Sequence, residues 1–142
     1  MKIRTDFVTN SSSSSFIIAY KVPKFEEDII EKYPLLKLYP QLIEHIVNNE
    51  SGCDTDKAEV LDSIKKFEEY FIERYGWRGC TLNEILGHSD YYSKIYDKAM
   101  KYLKDGYSVA FKEVGYDNDC LVETIKMLTR DNEDFVLVYE SN

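Results

Sequence analysis

Cys80 is the residue whose sequence surroundings best suit a nucleophile. It precedes a predicted helix, whose N-terminus favours a thiolate, and Arg78 lies two residues before it. His88 follows eight residues later, across that helix, and is a candidate general base. Thiol catalysis by Cys80 and His88 is therefore one hypothesis. The other is a buried, inert cysteine, which is the commoner role of a free thiol.

His88, Ser89 and Asp90 contain the three residue types of a catalytic triad. A triad requires adjacency in space, however, and a loop followed by a helix cap explains these three residues more simply. His45 is the second of two histidines, and the three cysteines are widely spaced, so no zinc-binding pattern appears. The odd cysteine count without a Cys-x-x-Cys pair favours a reducing compartment.

Oxygen-bearing side chains cluster at Asp117, Asn118, Asp119 and Glu123. Such groups bind hard cations, but the loop glycine and the late glutamate of an EF-hand are not in place. A capped helix with acids in its first turn explains the same residues. The neighbouring carboxylates also oppose a thiolate at Cys120. We predict no metal and no cofactor, and Asp117 and Asp119 are the positions at which a cation would be tested.

A run of five serines follows Asn10. Its hydroxyl and amide groups suit a phosphate or a phosphorylation site, but the glycines and the lysine of a P-loop are missing. A polar hairpin connector is the alternative. The candidate ligand-binding residues are Ser11, Ser12, Ser13, Ser14 and Ser15.

A row of lysines lies on the polar side of another predicted helix, with Tyr91 and Tyr102 beside it. The row consists of Lys94, Lys98, Lys101 and Lys104, with Lys112 nearby. Lysines with stacking tyrosines are typical of single-strand nucleic-acid binding, although a solvated helix face is the commoner meaning. The net charge of −8 argues against direct nucleic-acid binding by the whole surface.

Acidic residues concentrate in the stretch 25–75, which has thirteen acids against six bases. The charges of residues 1–24, 25–75, 76–112 and 113–142 are +3, −7, +2 and −6. A converging row of carboxylates would steer association with a basic partner, whereas dispersed ones only solubilise the surface. The carboxylates of this stretch include Glu26, Glu27, Asp28, Glu31, Glu44, Glu50, Asp54, Asp56, Asp62, Glu68, Glu69 and Glu73.

The elements that must position these residues follow from periodicity and caps. Alternation predicts strands at 2–8, 16–22, 107–114 and 135–139, the first two forming a hairpin around the serines. Helical spacing predicts helices at 25–33, 40–47, 81–87, 90–103 and 121–129. A further helix, with Asp56 and Glu59 as capping box, is expected to run through Val60 to Tyr75.

These elements indicate an α+β fold, with a small sheet of about four strands covered by four to five helices. The last strand, helix and strand suit a parallel crossover, and the Phe135–Tyr139 run suits a central strand. Acidic helices within 25–75 would form a layer or an insertion beside the sheet. The length of 142 residues fits a single domain, 1–142.

The apolar runs are too short for a signal peptide or a membrane span, so a cytoplasmic location is expected. Twelve tyrosines indicate either an aromatic core with hydroxyls at its surface or an interface.

The segment Asp6-Phe7-Val8-Thr9-Asn10, the five serines and Phe16-Ile17 resembles an N-terminal segment of small uncharacterised proteins of Gram-positive bacteria and their phages. The resemblance covers about residues 1–18. It implies a phage or mobile-element accessory protein and brings no catalytic residue with it. An anti-defence or immunity type of accessory protein belongs to the functional hypothesis below and is not implied by the resemblance.

The preferred hypothesis is a non-enzymatic acidic inhibitor or adaptor that mimics nucleic acid and docks on a basic protein surface. A small ligand- or phosphate-binding domain, or a thiol enzyme using Cys80 and His88, is the alternative. The predicted partner-binding residues are Glu26, Glu27, Asp28, Glu31, Asp62, Glu68, Glu69 and Glu73.

Overall fold

A four-stranded antiparallel sheet organises the chain. The computed structural model describes residues 13–141, in which the strand order is β2-β3-β1-β4. The strands are β1 (Ser13–Tyr20), β2 (Glu59–Leu61), β3 (Ser108–Gly115) and β4 (Phe135–Ser141). β1 pairs with β3 on one side and with β4 on the other, antiparallel in both cases. The α+β class and the single small sheet are confirmed.

Six α-helices and one 3₁₀ helix accompany the sheet in the described residues. They are α1 (Glu27–Lys32), the 3₁₀ helix (Pro34–Lys37), α2 (Leu38–Asn48), α3 (Ile64–Tyr75), α4 (Leu82–His88), α5 (Asp90–Lys104) and α6 (Asp119–Leu128). The capping box of Thr81 and Glu84 is formed at α4, and Ser89 caps α5. None of the described helices has both the length and the apolar character needed to cross a membrane.

The two faces of the sheet carry different cores because side chains alternate along each strand. Ile17 and Ala19 of β1 lie on the aromatic face, which α3, α4 and α5 cover. Phe67 and Phe71 of α3 are fully buried there, with ring centroids 5.6 Å apart. The opposite, aliphatic face carries the aliphatic side chains of α2 and α6.

The helix expected to begin after Asp56 starts later. Ser63 is its N-cap and accepts a hydrogen bond from the Lys66 amide at 3.2 Å. Glu59–Leu61 instead pairs with β3 as a short edge strand, and Leu61 is buried. The predicted capping box of Asp56 and Glu59 is wrong because a non-local partner, β3, takes up this segment.

The C-terminal strands also differ from expectation. β3 and β4 are parallel to each other, since both are antiparallel to β1, but β1 lies between them. β4 is thus an edge strand of the described sheet and not the central strand that its apolar run suggested. Its pairing with β1 contains a register shift between Ile17 and Ile18.

The N-terminal prediction is only partly open to comparison. The strand expected at 2–8, and with it the hairpin, lies outside the described residues. Ser13–Ser15, expected in the connector, belong to β1, where Ser15 faces Glu113 of β3 and Ser141 of β4. Pairing of all three with β3, and of Ser15 also with β4, explains why these serines are extended in spite of their polar, loop-like composition.

Candidate functional site

The segment formed by α1 and the 3₁₀ helix is a surface element that the core hardly holds. α1 and the 3₁₀ helix have no buried residue. Backbone hydrogen bonds make the turns compact, with the Tyr33 amide 2.8 Å from the Ile29 carbonyl and the Leu36 amide 3.0 Å from that of Tyr33. Since isolated helices of this length are marginal in water, tertiary contacts or a partner must stabilise α1.

Five large apolar side chains of this segment face solvent, and we call them the apolar patch. They are Ile29 (41% exposed), Tyr33 (56%), Leu35 (78%), Leu38 (56%) and Leu42 (38%). In α2 the residues that enter the aliphatic core are Ile43, Ile46 and Val47. Leu38, Leu42 and Ile46 are spaced by four residues and share one side of α2, so the exposed Leu38 and Leu42 lie at the solvent end of its apolar face.

Carboxylates surround the patch at its N-terminal side. Glu26, Glu27, Asp28 and Glu31 are all exposed, and we call them the acidic rim. Asp28 accepts a hydrogen bond from the Ile29 amide at 3.0 Å, whereas nearby Lys32 lies over the Tyr33 ring, 5.5 Å from its centroid. An apolar centre with a charged rim is the usual anatomy of an interaction surface.

The remaining predicted partner-binding residues do not join this rim. Glu68, Glu69 and Glu73 belong to α3, which covers the aromatic face, whereas α2 covers the aliphatic face. Asp62 forms an ion pair of 2.9 Å with Lys66, whose hydrogen bond lowers the pKa of that carboxyl. The acidic helices α2 and α3 of this stretch thus pack on opposite faces of the sheet.

Tyr20, the last residue of β1, has a pKa that depends on burial and on two carboxylates. Burial raises the pKa of Tyr20, and the carboxylates of Glu44 and Asp62 raise it further. Glu44 comes from α2 and Asp62 from the loop before α3.

Cys80 lies partly buried against the aromatic core, and its Sγ accepts the Trp77 amide at 3.1 Å. Among the described residues no hydrogen bond joins Cys80 to His88. The His88 ring instead contacts Trp77 and Tyr92, with centroids 5.7 and 6.4 Å away. The thiol and the imidazole therefore do not form an activated pair in this arrangement.

The proposed triad residues act as a helix start. Ser89 accepts the Tyr91 amide at 3.1 Å, which is the cap expected from the alternative interpretation. His45 lies 3.3 Å from the side-chain amide of Asn49, far along the chain from His88. Ser89 is thus hydrogen-bonded to the backbone, and none of these contacts pairs a nucleophile with a general base.

The acidic loop before α6 is hydrogen-bonded to the loop that contains Ser51 and Cys53. Both carboxylate oxygens of Asp117 accept the Cys53 amide, at 3.1 and 3.0 Å. Asn118 caps α6 and donates to the Ser51 carbonyl at 3.1 Å. In residues 13–141 no group of three or more His, Cys, Asp or Glu side chains could hold a metal ion. Asp117 has a structural role, and Asp119 and Glu123 join no such group.

The lysine row lies as predicted on the exposed side of α5, except for Lys112. Lys112 belongs to β3, is 1% exposed, and lies on the aliphatic face. Its Nζ donates to the carbonyls of Val47, Asn49 and Asp56, the last at 2.6 Å. Burial lowers the pKa of Lys112 to about 8, against the opposing effect of Asp56 and Glu50.

A buried ion pair was also missed by sequence reasoning. Glu113 accepts the Ser15 hydroxyl at 2.6 Å and the Ser13 hydroxyl at 3.3 Å, and Arg74 lies 3.4 Å away. Two of the serines considered for ligand binding are thus bound to a carboxylate, which repels phosphate. The separation of 98 residues between Ser15 and Glu113 explains why no local pattern indicated this contact.

Comparison of the chain with protein-family models, with curated proteins and with solved structures gives no match.

Proposed function

We propose that this protein is a non-enzymatic binding protein, acting as an inhibitor or adaptor in the cytoplasm. Its apolar patch and acidic rim bind a basic amphipathic segment of a protein partner. The observation that carries the proposal is that the consecutive elements α1, the 3₁₀ helix and α2 expose five large apolar side chains, together with four exposed carboxylates at residues 26–31.

The physical argument combines two complementary effects. Burying exposed leucines such as Leu35 and Leu38 removes apolar surface from water, at about 25 cal/mol for each Å². The carboxylates of the rim attract lysines or arginines and accelerate encounter, which favours a basic partner over a neutral one. The resemblance of the N-terminal segment to that of bacterial and phage proteins supports an accessory role.

The test uses an eighteen-residue amphipathic peptide of leucine and lysine as a defined probe. Fluorescence anisotropy should show that the double change Leu35→Ser and Leu38→Ser weakens binding about tenfold or more. The matched control is Met127→Ser, since Met127 is 67% exposed and belongs to α6, not to the segment that carries the patch. Equal binding by the double variant and the control would contradict the proposal.

The rim is tested separately from the patch. Glu27→Lys combined with Asp28→Lys should weaken binding and reduce its dependence on salt concentration. Glu123→Lys, on α6, is the control for a general change of net charge. Equal losses in both cases would show non-specific attraction to an acidic protein and would remove the acidic rim from the account.

A further inference from the structure

The outer edge of β4 and the lysine row of α5 form a second surface, distinct from the apolar patch. Among residues 13–141, β4 pairs only with β1, so its other side has no strand neighbour. The Lys98 Nζ of α5 donates to the Leu137 carbonyl of β4 at 3.2 Å. This contact places the helix beside the strand edge.

The register shows which backbone groups of β4 point outward. The Lys21 amide donates to the Asp134 carbonyl at 2.9 Å, so this opposed pair is of the hydrogen-bonded type. Hydrogen-bonded and non-hydrogen-bonded pairs alternate in an antiparallel ladder. Phe135 and Leu137, opposite Tyr20 and Ile18, therefore direct their amide and carbonyl groups away from β1.

Lys98, which reaches this edge, belongs to a row of lysines on α5. Ile95, Ala99 and Leu103 turn one side of α5 into the aromatic core. Lys94, Lys98 and Lys101 share another side because they are spaced by four and three residues, and all are exposed. Asp97 is also exposed and lies three residues after Lys94 and four before Lys101.

We propose that the outer edge of β4, flanked by Lys94, Lys98 and Lys101, binds an extended acidic peptide segment as an additional strand. Main-chain hydrogen bonds to Phe135 and Leu137 supply the pairing, as in other cases of strand addition. Carboxylates of the incoming segment pair with the lysines. Lys98 leaves the Leu137 carbonyl when a peptide amide replaces it, so the lysine protects the free edge and recognises the acidic segment.

An acidic segment fits this edge better than a nucleic acid. A phosphate backbone would use the three lysines but has no pattern of amide donors and carbonyl acceptors to match Phe135 and Leu137. The peptide uses both features. A different occupant is expected at the acidic rim, where the partner segment is basic, so the two surfaces are independent.

The probe is a ten-residue peptide in which valine or threonine alternates with glutamate. NMR-detected hydrogen exchange of the full chain should show that the peptide slows exchange of the Leu137 and Phe135 amides at least tenfold. The Val136 amide is the internal control, because Val136 lies opposite Ala19 in a hydrogen-bonded pair and is already engaged. A peptide with two central prolines should give no protection.

The lysines are tested by charge reversal. Lys98→Glu should weaken binding of the peptide about tenfold, and Lys98→Gln by a smaller factor. Lys126→Glu, on α6, should change it less than twofold. Thermal unfolding of each variant verifies that the fold is retained.

Three results would overturn this proposal. One is a Leu137 amide that is fully protected before the peptide is added, since the edge would then be covered within the chain itself. Another is a peptide that does not bind even at low salt, or one that binds without slowing hydrogen exchange of the Leu137 amide. The third is a ten-nucleotide thymidylate strand that binds more tightly than the peptide and depends on the same lysines.

Discussion

The aromatic face and the α1–α2 segment use apolar residues in opposite ways. Phe67 and Phe71 are enclosed by three helices and the sheet, whereas Leu35 and Leu38 lie mostly in solvent. Both regions are apolar and acidic in sequence. Composition therefore does not distinguish a buried core from an exposed apolar surface. The length of each element and the elements that pack around it make the difference.

The largest expected effect lies in the aromatic core. Phe67→Ala should lower the free energy of unfolding by about 3–5 kcal/mol, because it leaves a cavity among closely packed rings. Leu35→Ala should change it by no more than about 0.5 kcal/mol, as expected for an exposed site. Urea denaturation of both variants measures the contrast. A comparable loss in the two would show that the apolar patch is part of the core.

The next contrast is between a buried charged group, Lys112, and the exposed charges of the surface. Its folded-state pKa is lowered to about 8, whereas an unfolded lysine titrates near ~10.4. Between these values the unfolded chain binds more protons, so stability rises with pH. From pH 7.5 to 9.5 the free energy of unfolding should rise by on the order of 2 kcal/mol.

Urea denaturation at a series of pH values checks this rise, and Lys112→Met should abolish it whatever its effect on stability at pH 7. Above pH ~10 the tyrosines should make the free energy of unfolding fall again. Burial raises the pKa of the Tyr75 hydroxyl in the folded chain, so this hydroxyl ionises at a lower pH in the unfolded chain. A variant that keeps the full rise would show that another group is responsible.

The smallest effect is expected at the cysteines. Cys80 should react with iodoacetamide several-fold more slowly than the exposed Cys53 and Cys120, since its sulfur is half-buried and bound to the Trp77 amide. Mass spectrometry of the labelled chain resolves the three sites. Fast labelling of Cys80 that His88→Ala slows would instead favour the thiol-enzyme hypothesis.

Local features of the fold were predictable from the sequence. The capping box of Thr81 and Glu84 and the inward stripe of α5 depend on residues three or four apart, and both are formed. β2 was not predictable, because three residues become a strand only when β3 lies beside them. The edge position of β4 likewise depends on β1, more than a hundred residues away.

Only one part of the candidate site was predictable from the sequence. The acidic residues of α1 follow directly from the sequence, but the apolar patch was missed. Its signal was the segment from Pro34 to Pro40, whose leucines do not fit one helical stripe and therefore cannot all enter the core. The burial of Lys112 had no local signal, since it rests on carbonyls 56–65 residues away.

The most direct test of the central claim is an NMR titration of the full chain with the leucine and lysine peptide. The account predicts that amide shifts concentrate at Ile29, Tyr33, Leu35, Leu38 and Leu42, with smaller changes along the acidic rim and none at Met127. Shifts spread over α3 and α6 as much as over α1 and α2, or no shifts at low salt, would contradict it.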